Sequence, residues 1–379
     1  MTRLAVYRAA LDGLAQKSRL RKLAPRAGLD FVSNDYLGLA TSLRLREAMA
    51  KAVARGVPIG AGGSRLLRGN APEHEELEAT AATFFHSERT LYFGSGYVAN
   101  YAVLSTLPQK GDFVVLDALA HASANEGARA GRAEISEALH NDPGSFESQI
   151  LEWRARGGAG RVWIAIESLY SMDGDRAPLD DLKALADRHD AFLYIDEAHA
   201  TGVFGTDGRG LATSLEGREN VLLLHTCSKA LGGSGALVSG ARVLCDFLIN
   251  RCRPFIFSTA PSPLMAVAAL EALKVLKEEP ERQRRLLNLV AFAGEQARVR
   301  GISVPSGSQI LPVIVGEDGR ALALASALQA RSFDVRAVRP PSVPQGTARL
   351  RVSITLNVGE TAIEGVFEAL AEEWRLVTT

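Results

Sequence analysis

Cysteine is scarce in this chain. There are three, Cys227, Cys245 and Cys252, an odd number with no CxxC pair among them. That argues against a disulfide framework or a cysteine-ligated zinc site and fits a reducing cytoplasm. Neither charge sign is in excess, with 43 Lys plus Arg against 43 Asp plus Glu. A chain balanced in this way offers no basic face for nucleic acid and no polybasic tract for a membrane surface. Long apolar runs are missing too, so no segment reads as a membrane span. The first residues, MTRLAVYRAALDGLAQ, are amphipathic and lack the continuous apolar core of a signal peptide. Internal repeats and low-complexity tracts are absent. The dipeptide Gly-Lys occurs nowhere, so the DEAH run at 196–199 has no phosphate loop to accompany it. A helicase-type nucleotide site is thereby set aside, and those four residues need another explanation.

What is present is length and alternation. A chain of 379 residues exceeds what one hydrophobic core usually covers, so two domains are expected. Residues 3–23 read as a helix ending near Pro25, followed by a short strand at Phe31–Val32 and helices over 43–55 and 73–85. From 91 to 240 apolar, β-branched runs alternate with helical stretches: LYF (91–93), FVVLD (113–117), VWIAIES (162–168), FLYIDEA (192–198), VLLLHTCS (221–228) and ALVSG (236–240). Near-continuous apolar strands separated by helices predict an α/β fold with a mostly parallel sheet covered on both faces. Helices follow at 241–252, 261–278 and 281–300. The tail then reads as strand 310–315, helix 320–331, strands 333–338 and 349–355, and helix 360–375. The expected organisation is an N-terminal helix and arm (1–40), a large domain (41–280) and a small α/β domain (281–379).

Chemistry-bearing residues gather at the predicted strand ends, where open α/β sheets bind ligands. Asp196 ends FLYID, with His199 three residues on; alone, such an aspartate is also explained as a helix cap or an ion pair. Lys229 directly follows a core strand and precedes Gly232, Gly233 and Gly235. A desolvated lysine loses charge readily and attacks carbonyls, although a surface lysine in a glycine turn looks the same in isolation. LYFGSGYVAN runs a strand through glycines into a helix, a ready anion site. Gly94, Gly96 and Ala99, with Asp117 about 20 residues on, also match a loose dinucleotide fingerprint, and an NAD-linked oxidoreductase is the rival reading. It leaves Asp196, His199 and Lys229 without a purpose. His121 and Ser171 each follow a further strand end. Together five strand ends supply a phosphate cradle, a His, a Ser, an Asp and a Lys, the set that pyridoxal 5'-phosphate (PLP) requires.

The segments FVSNDYLGL, GAGGSRLLRGN, SGYVAN, HAS, ESLYSMDGD, IDEAHATGVFG, TCSKALGGSGA, RPFIFSTAPSP and RPPSVPQGTARLRVSIT resemble the α-oxoamine synthases over nearly the whole chain. These are PLP enzymes with the aspartate-aminotransferase-like fold (fold type I). SNDYLGL and RPPSVPQGTARLR are most similar to the branch that condenses L-alanine with a pimeloyl thioester in biotin synthesis. The resemblance implies that Lys229 carries PLP as a Schiff base and acts as the base. Asp196 then pairs with the pyridinium nitrogen, His121 stacks on the ring, and His199 and Ser171 hydrogen-bond the ring hydroxyl. Gly96, Tyr97 and Thr226 hold the phosphate, and Thr259 reaches the phosphate of a partner subunit, which implies a homodimer. Asn34 and Arg351 hold the amino-acid carboxylate, and Arg21 meets the far carboxylate of the acyl chain. Arg349 and Arg351 lie two apart on a strand and share a face, so Arg351 is chosen on the family pattern. The thiol carrier is either coenzyme A or an acyl-carrier protein. Glycine- or serine-using members of the same family are the nearer alternatives.

Overall fold

The computed structural model describes residues 3–305 and 307–378. Among them twelve strands run in chain order: β1 (Leu29–Asp30), β2 (Arg89–Phe93), β3 (Phe113–Asp117), β4 (Glu134–Ala138), β5 (Val162–Glu167), β6 (Phe192–Asp196), β7 (Val221–Thr226), β8 (Ala236–Gly240), β9 (Ile310–Gly316), β10 (Phe333–Asp334), β11 (Arg336–Val338) and β12 (Ala348–Ser353). The chain divides into two compact units. The larger comprises Asn34–Ser171 and Asp175–Arg284; the smaller comprises the stretch before Asn34, Met172–Gly174 and the residues from Arg285 onward.

The larger unit is built on a seven-stranded sheet in the order β2-β8-β7-β6-β5-β3-β4. β8 runs antiparallel to both of its neighbours and the remaining pairs are parallel. Because side chains alternate along a strand, β3 gives Val114 and Leu116 to one core and Phe113 and Val115 to the other. The first core is closed by the helices Gly96–Thr106, Ala122–Ala130 and Arg242–Arg251, through Ala102, Val103, Ala128 and Leu248. The second is closed by Pro143–Ala155 and Leu179–Arg188, through Phe146, Trp153, Leu182 and Leu185. Burial on both faces explains why these strands carry few polar residues. β4 escaped the sequence reading for the opposite reason. It lies at the sheet edge, and its residues EISEA put Glu134 and Glu137 in solvent, a usual way of blunting an edge. Asp117, Glu167, Asp196 and Thr226 are the last residues of β3, β5, β6 and β7.

In the smaller unit β11, β12 and β9 form an antiparallel sheet. The single strand expected over 333–338 is two, because the chain changes partner at buried Val335. β10 pairs in parallel with β1, whereas β11 pairs with β12. β1 itself falls at Leu29–Asp30, two residues before the expected Phe31–Val32. The first helix is Ala5–Gln16, shorter than the predicted 3–23. Ser18 adopts a left-handed conformation at φ 55°, and the amides of Ser18 and Arg19 close back on the carbonyls of Ala15 and Leu14. Nothing in KSRLRKL, which is rich in helix formers, announces that stop.

Candidate active site

Lys229 lies three residues past the end of β7, half-buried, with its Nζ 2.6 Å from His199 Nε2. The glycines that follow are required by the backbone. Gly232 has φ +64° and a Cβ there would stand 2.4 Å from the backbone of Leu39 and Ala40; Gly235 has φ +97° and a Cβ would stand 2.3 Å from the Tyr92 ring. The turn therefore returns the chain into β8 only with glycine at both places. His199 is buried, and its other nitrogen, Nδ1, is 2.7 Å from the Tyr36 hydroxyl, which donates to Asn34 Oδ1 at 3.0 Å. Tyr36 is fully buried and belongs to the SNDYLGL segment. The sequence reading had assigned Asn34 a role but passed over Tyr36.

Asp196, 7% exposed, ends β6, the strand that pairs with β7. Its Oδ1 accepts from the Ala198 amide at 2.8 Å and its Oδ2 from Asn100 Nδ2 at 2.7 Å. Glu167 is its register partner on β5 and accepts from the Ser171 amide at 3.1 Å. Burial, reinforced by Asp196 and opposed by Lys229, pushes the Glu167 carboxyl up to about 8. His121 caps the helix Ala122–Ala130. The residue is exposed, yet burial by the surrounding chain holds its pKa below the ordinary histidine range, with Asp196 opposing and Lys229 assisting. Tyr97 meets it edge-on at 6.4 Å and donates its hydroxyl to Glu126.

Gly96 opens the helix Gly96–Thr106, whose N-cap Ser95 accepts from the Val98 amide. Thr226 faces that helix start, 3.5 Å from where a Gly96 Cβ would lie, and is hydrogen-bonded to Ser228. Helix N-terminus and hydroxyl together make an anion cradle. Thr259 sits exposed on the loop between the helices Arg253–Ile256 and Pro263–Glu278. In the smaller unit β12 distinguishes its two arginines. Arg349 is ion-paired with Asp173 and donates to the Thr347 carbonyl; Arg351 donates to Ser353 Oγ at 2.8 Å. Arg21 is not helical, since the helix has ended before it. It is exposed and donates to Ser342 Oγ at 3.4 Å. With Arg19, Arg339, Met172 and residues 337–342 it lines a cavity of about 240 Å³.

The dinucleotide reading fails on geometry. Among the described residues β2 pairs only with antiparallel β8, so no parallel βαβ unit starts there. Asp117 is committed to the Leu119 and Asn141 amides and to His140 Nδ1 at 2.7 Å, not presented to a ribose. Among the described residues no helix is long and apolar enough to cross a membrane.

The family model for aminotransferase class I and II matches residues 26–370, and the chain belongs to that family. Along nearly its whole length it is similar to the 8-amino-7-oxononanoate synthase of Anaeromyxobacter dehalogenans, with 42% identity over 96% of this chain and 93% of that one. Among solved structures it is similar to the serine palmitoyltransferase of S. paucimobilis with a bound PLP-myriocin aldimine. That pair has 26% identity and a TM-score of 0.89, covering 100% of this chain and 98% of the other. The 8-amino-7-oxononanoate synthase of Francisella tularensis is 26% identical with a TM-score of 0.77, covering 93% of this chain and 99% of the other. The fold is aspartate-aminotransferase-like, as the segment resemblance implied.

Proposed function

We propose that this chain is a PLP-dependent acyltransferase that joins L-alanine to a pimeloyl thioester. Carbon dioxide and the thiol carrier leave, and the product is 8-amino-7-oxononanoate, on the route to biotin. The observation that carries this reading is the cluster at the ends of β6 and β7: Lys229 Nζ 2.6 Å from His199 Nε2, with the buried Asp196 carboxylate on the neighbouring strand. The donor set fits PLP group by group. A lysine suits its aldehyde, a buried carboxylate its ring nitrogen, an open imidazole face its ring, and the helix start at Gly96 with Thr226 its phosphate. The names of the relatives at 42% identity support the choice of substrates.

When bound, PLP supplies a ring that accepts the negative charge left at the α-carbon of the amino acid. Lys229 Nζ removes the α-proton, and His199 Nε2 is placed to accept a hydrogen bond from the ammonium so formed. Asp196 keeps a proton on the ring nitrogen, which is what makes the ring acceptor strong. Ser171 and His199 serve the ring hydroxyl, and Tyr97 assists at the phosphate. Asn34 and Arg351 hold the alanine carboxylate; the commitment of Arg349 to Asp173 supports Arg351 over its neighbour. Arg21 holds the far carboxylate of the pimeloyl chain. The cluster of Arg19, Arg21 and Arg339 supports this, because among the described residues Arg19 alone of the three is ion-paired, with Asp318 at 2.7 Å. Burial and the two neighbouring arginines keep Arg339 below the usual guanidinium range against the pull of Asp318, so a second anion there is electrostatically favoured. Thr259 reaches the phosphate of a second copy in a cytoplasmic homodimer, and the acyl carrier is coenzyme A or an acyl-carrier protein.

The test is an assay crossing alanine, glycine and serine with pimeloyl, succinyl and acetyl thioesters. Carbon dioxide and free thiol should form fastest from alanine with the pimeloyl donor. A preference for glycine with a short donor would move the chain to another branch. A purified protein without the visible absorbance of lysine-bound PLP would overturn the class.

A further inference from the structure

We propose that Asn100 and Ser123 are positioning residues. Through hydrogen bonds that diverge from the Asn100 amide they hold His121 as the imidazole protonated on Nε2 and fix the carboxylate plane of Asp196. Neither residue was singled out in the sequence. Both are buried, as is Tyr194, the third member.

The direction of every bond follows from its ends. The Ser123 backbone N–H can only donate, and it points to His121 Nδ1 at 3.3 Å. Nδ1 must therefore present its lone pair. Ser123 Oγ is 2.6 Å from the same nitrogen and must donate to it. That uses the single hydroxyl proton, so Oγ accepts from Asn100 Nδ2 at 3.0 Å. The other proton of the same amide nitrogen goes to Asp196 Oδ2 at 2.7 Å, and a carboxylate only accepts. Asn100 Oδ1 in turn accepts from the Tyr194 hydroxyl at 2.8 Å. Turning the amide over would set its oxygen against the carboxylate and its nitrogen against Tyr194, so the orientation is determined. Asp196 Oδ1 already holds the Ala198 amide. Each carboxylate oxygen thus has one fixed donor, and the plane cannot rotate. The remaining proton of a neutral His121 can only lie on Nε2. Because Nδ1 accepts from a backbone N–H, the ring is not an imidazolium, and the burial that lowers its basicity acts in the same direction.

The two groups proposed to act on the face and on the nitrogen of one cofactor ring are therefore tied together by two side chains to which no contact with the ring itself is assigned. The catalytic consequence rests on the function proposed above; the tautomer does not. In apoenzyme with 15N-labelled histidine, NMR near neutral pH should show His121, assigned by a His121→Gln variant, protonated on Nε2 and bare on Nδ1. Ser123→Ala should weaken PLP binding about threefold to tenfold, and Asn100→Ala about tenfold to a hundredfold. The double variant should lose less than the product of the two, because the bonds form one chain. Tyr194→Phe, which deletes one hydroxyl, gives the same kind of readout should Asn100→Ala not fold. A proton on Nδ1, an imidazolium, or fully multiplicative losses would overturn the proposal. If the tautomer is as expected but borohydride reduction does not fix PLP to Lys229, the assignment of function falls and the hydrogen-bond chain stands.

Discussion

Replacing Tyr36 by phenylalanine removes the support behind His199 together with one bond to Asn34. The ring is fully buried, so the substitution keeps its packing and deletes one hydroxyl. That hydroxyl donates to Asn34 Oδ1 at 3.0 Å and meets His199 Nδ1 at 2.7 Å. Removing one partner from a buried polar group costs about 1–3 kcal/mol. In a chain of this length that lowers the melting temperature by only a few degrees, about 2–4 °C per kcal/mol or less. The functional effect should be larger in proportion. His199 loses the contact that aims Nε2 at Lys229, 2.6 Å away, and that alignment matters when Lys229 carries the extra proton. We expect kcat to fall about tenfold, the loss of one hydrogen bond made stronger in the transition state, with a smaller rise in KM for alanine from the bond that Asn34 loses. Calorimetry and steady-state kinetics on the same preparations read both effects. A lowered melting temperature with unchanged kcat would make Tyr36 purely structural and refute the reasoning; so would a rise in KM with kcat intact.

The other predictions concern the lysine, a buried carboxyl, a half-buried imidazole and the acyl end. Lys229→Ala should abolish turnover while still binding PLP non-covalently, and borohydride reduction of the parent should label the peptide bearing Lys229; label on another lysine would refute the assignment. Glu167 has its carboxyl raised to about 8 by burial and Asp196, so its favourable contribution is complete below the ordinary 4.5 and is lost as pH rises towards 8. Glu167→Gln should accordingly melt higher than the parent by a margin that grows across that window, and a constant margin would contradict this. His140 lies between Asp117 and Asp175, at 2.7 Å from each; burial lowers its pKa, but these two hydrogen bonds outweigh it and lift it to about 10. Its stabilisation is complete below 6.5 and fades towards 10, so the melting deficit of His140→Asn should shrink over that range, and parallel curves would argue against the ionic clamp. Arg21→Ala should raise KM for the pimeloyl thioester with alanine binding nearly unchanged, and should cost less with a donor lacking the terminal carboxylate; equal losses would assign Arg21 to the fold or the carrier.

The parts of the fold that were legible are those where one physical rule acts alone. FVVLD and ALVSG are strands residue for residue, because strands buried on both faces leave little besides apolar side chains. The glycines after Lys229 were legible as a close backbone approach, and two of the three do have positive φ. Elements shaped by a distant partner were not legible. β4 shows mixed polarity because it lies at an edge. The stop after Gln16 rests on the conformation of Ser18, whose neighbours all favour helix.

The same distinction explains which site residues were visible. A strand end can be found by counting along an apolar run, so Asp196, Thr226 and, just beyond, Lys229 stand out in one dimension. Asn100 and Ser123 stand on helices, where the neighbours that matter lie on another element. A signal was nevertheless present. Asn100 falls among Ala99, Ala102, Val103 and Leu104, all buried, on a helix with little other polarity. An amide in such a run needs four hydrogen bonds satisfied inside the protein. Its partners must then be polar groups reaching the same core from elsewhere, and its amide does donate to the strand-end carboxylate of Asp196 at 2.7 Å. A polar residue out of place on an apolar helix face therefore points to the strand-end group it serves, and at this site it points to the carboxylate on which the proposed chemistry depends.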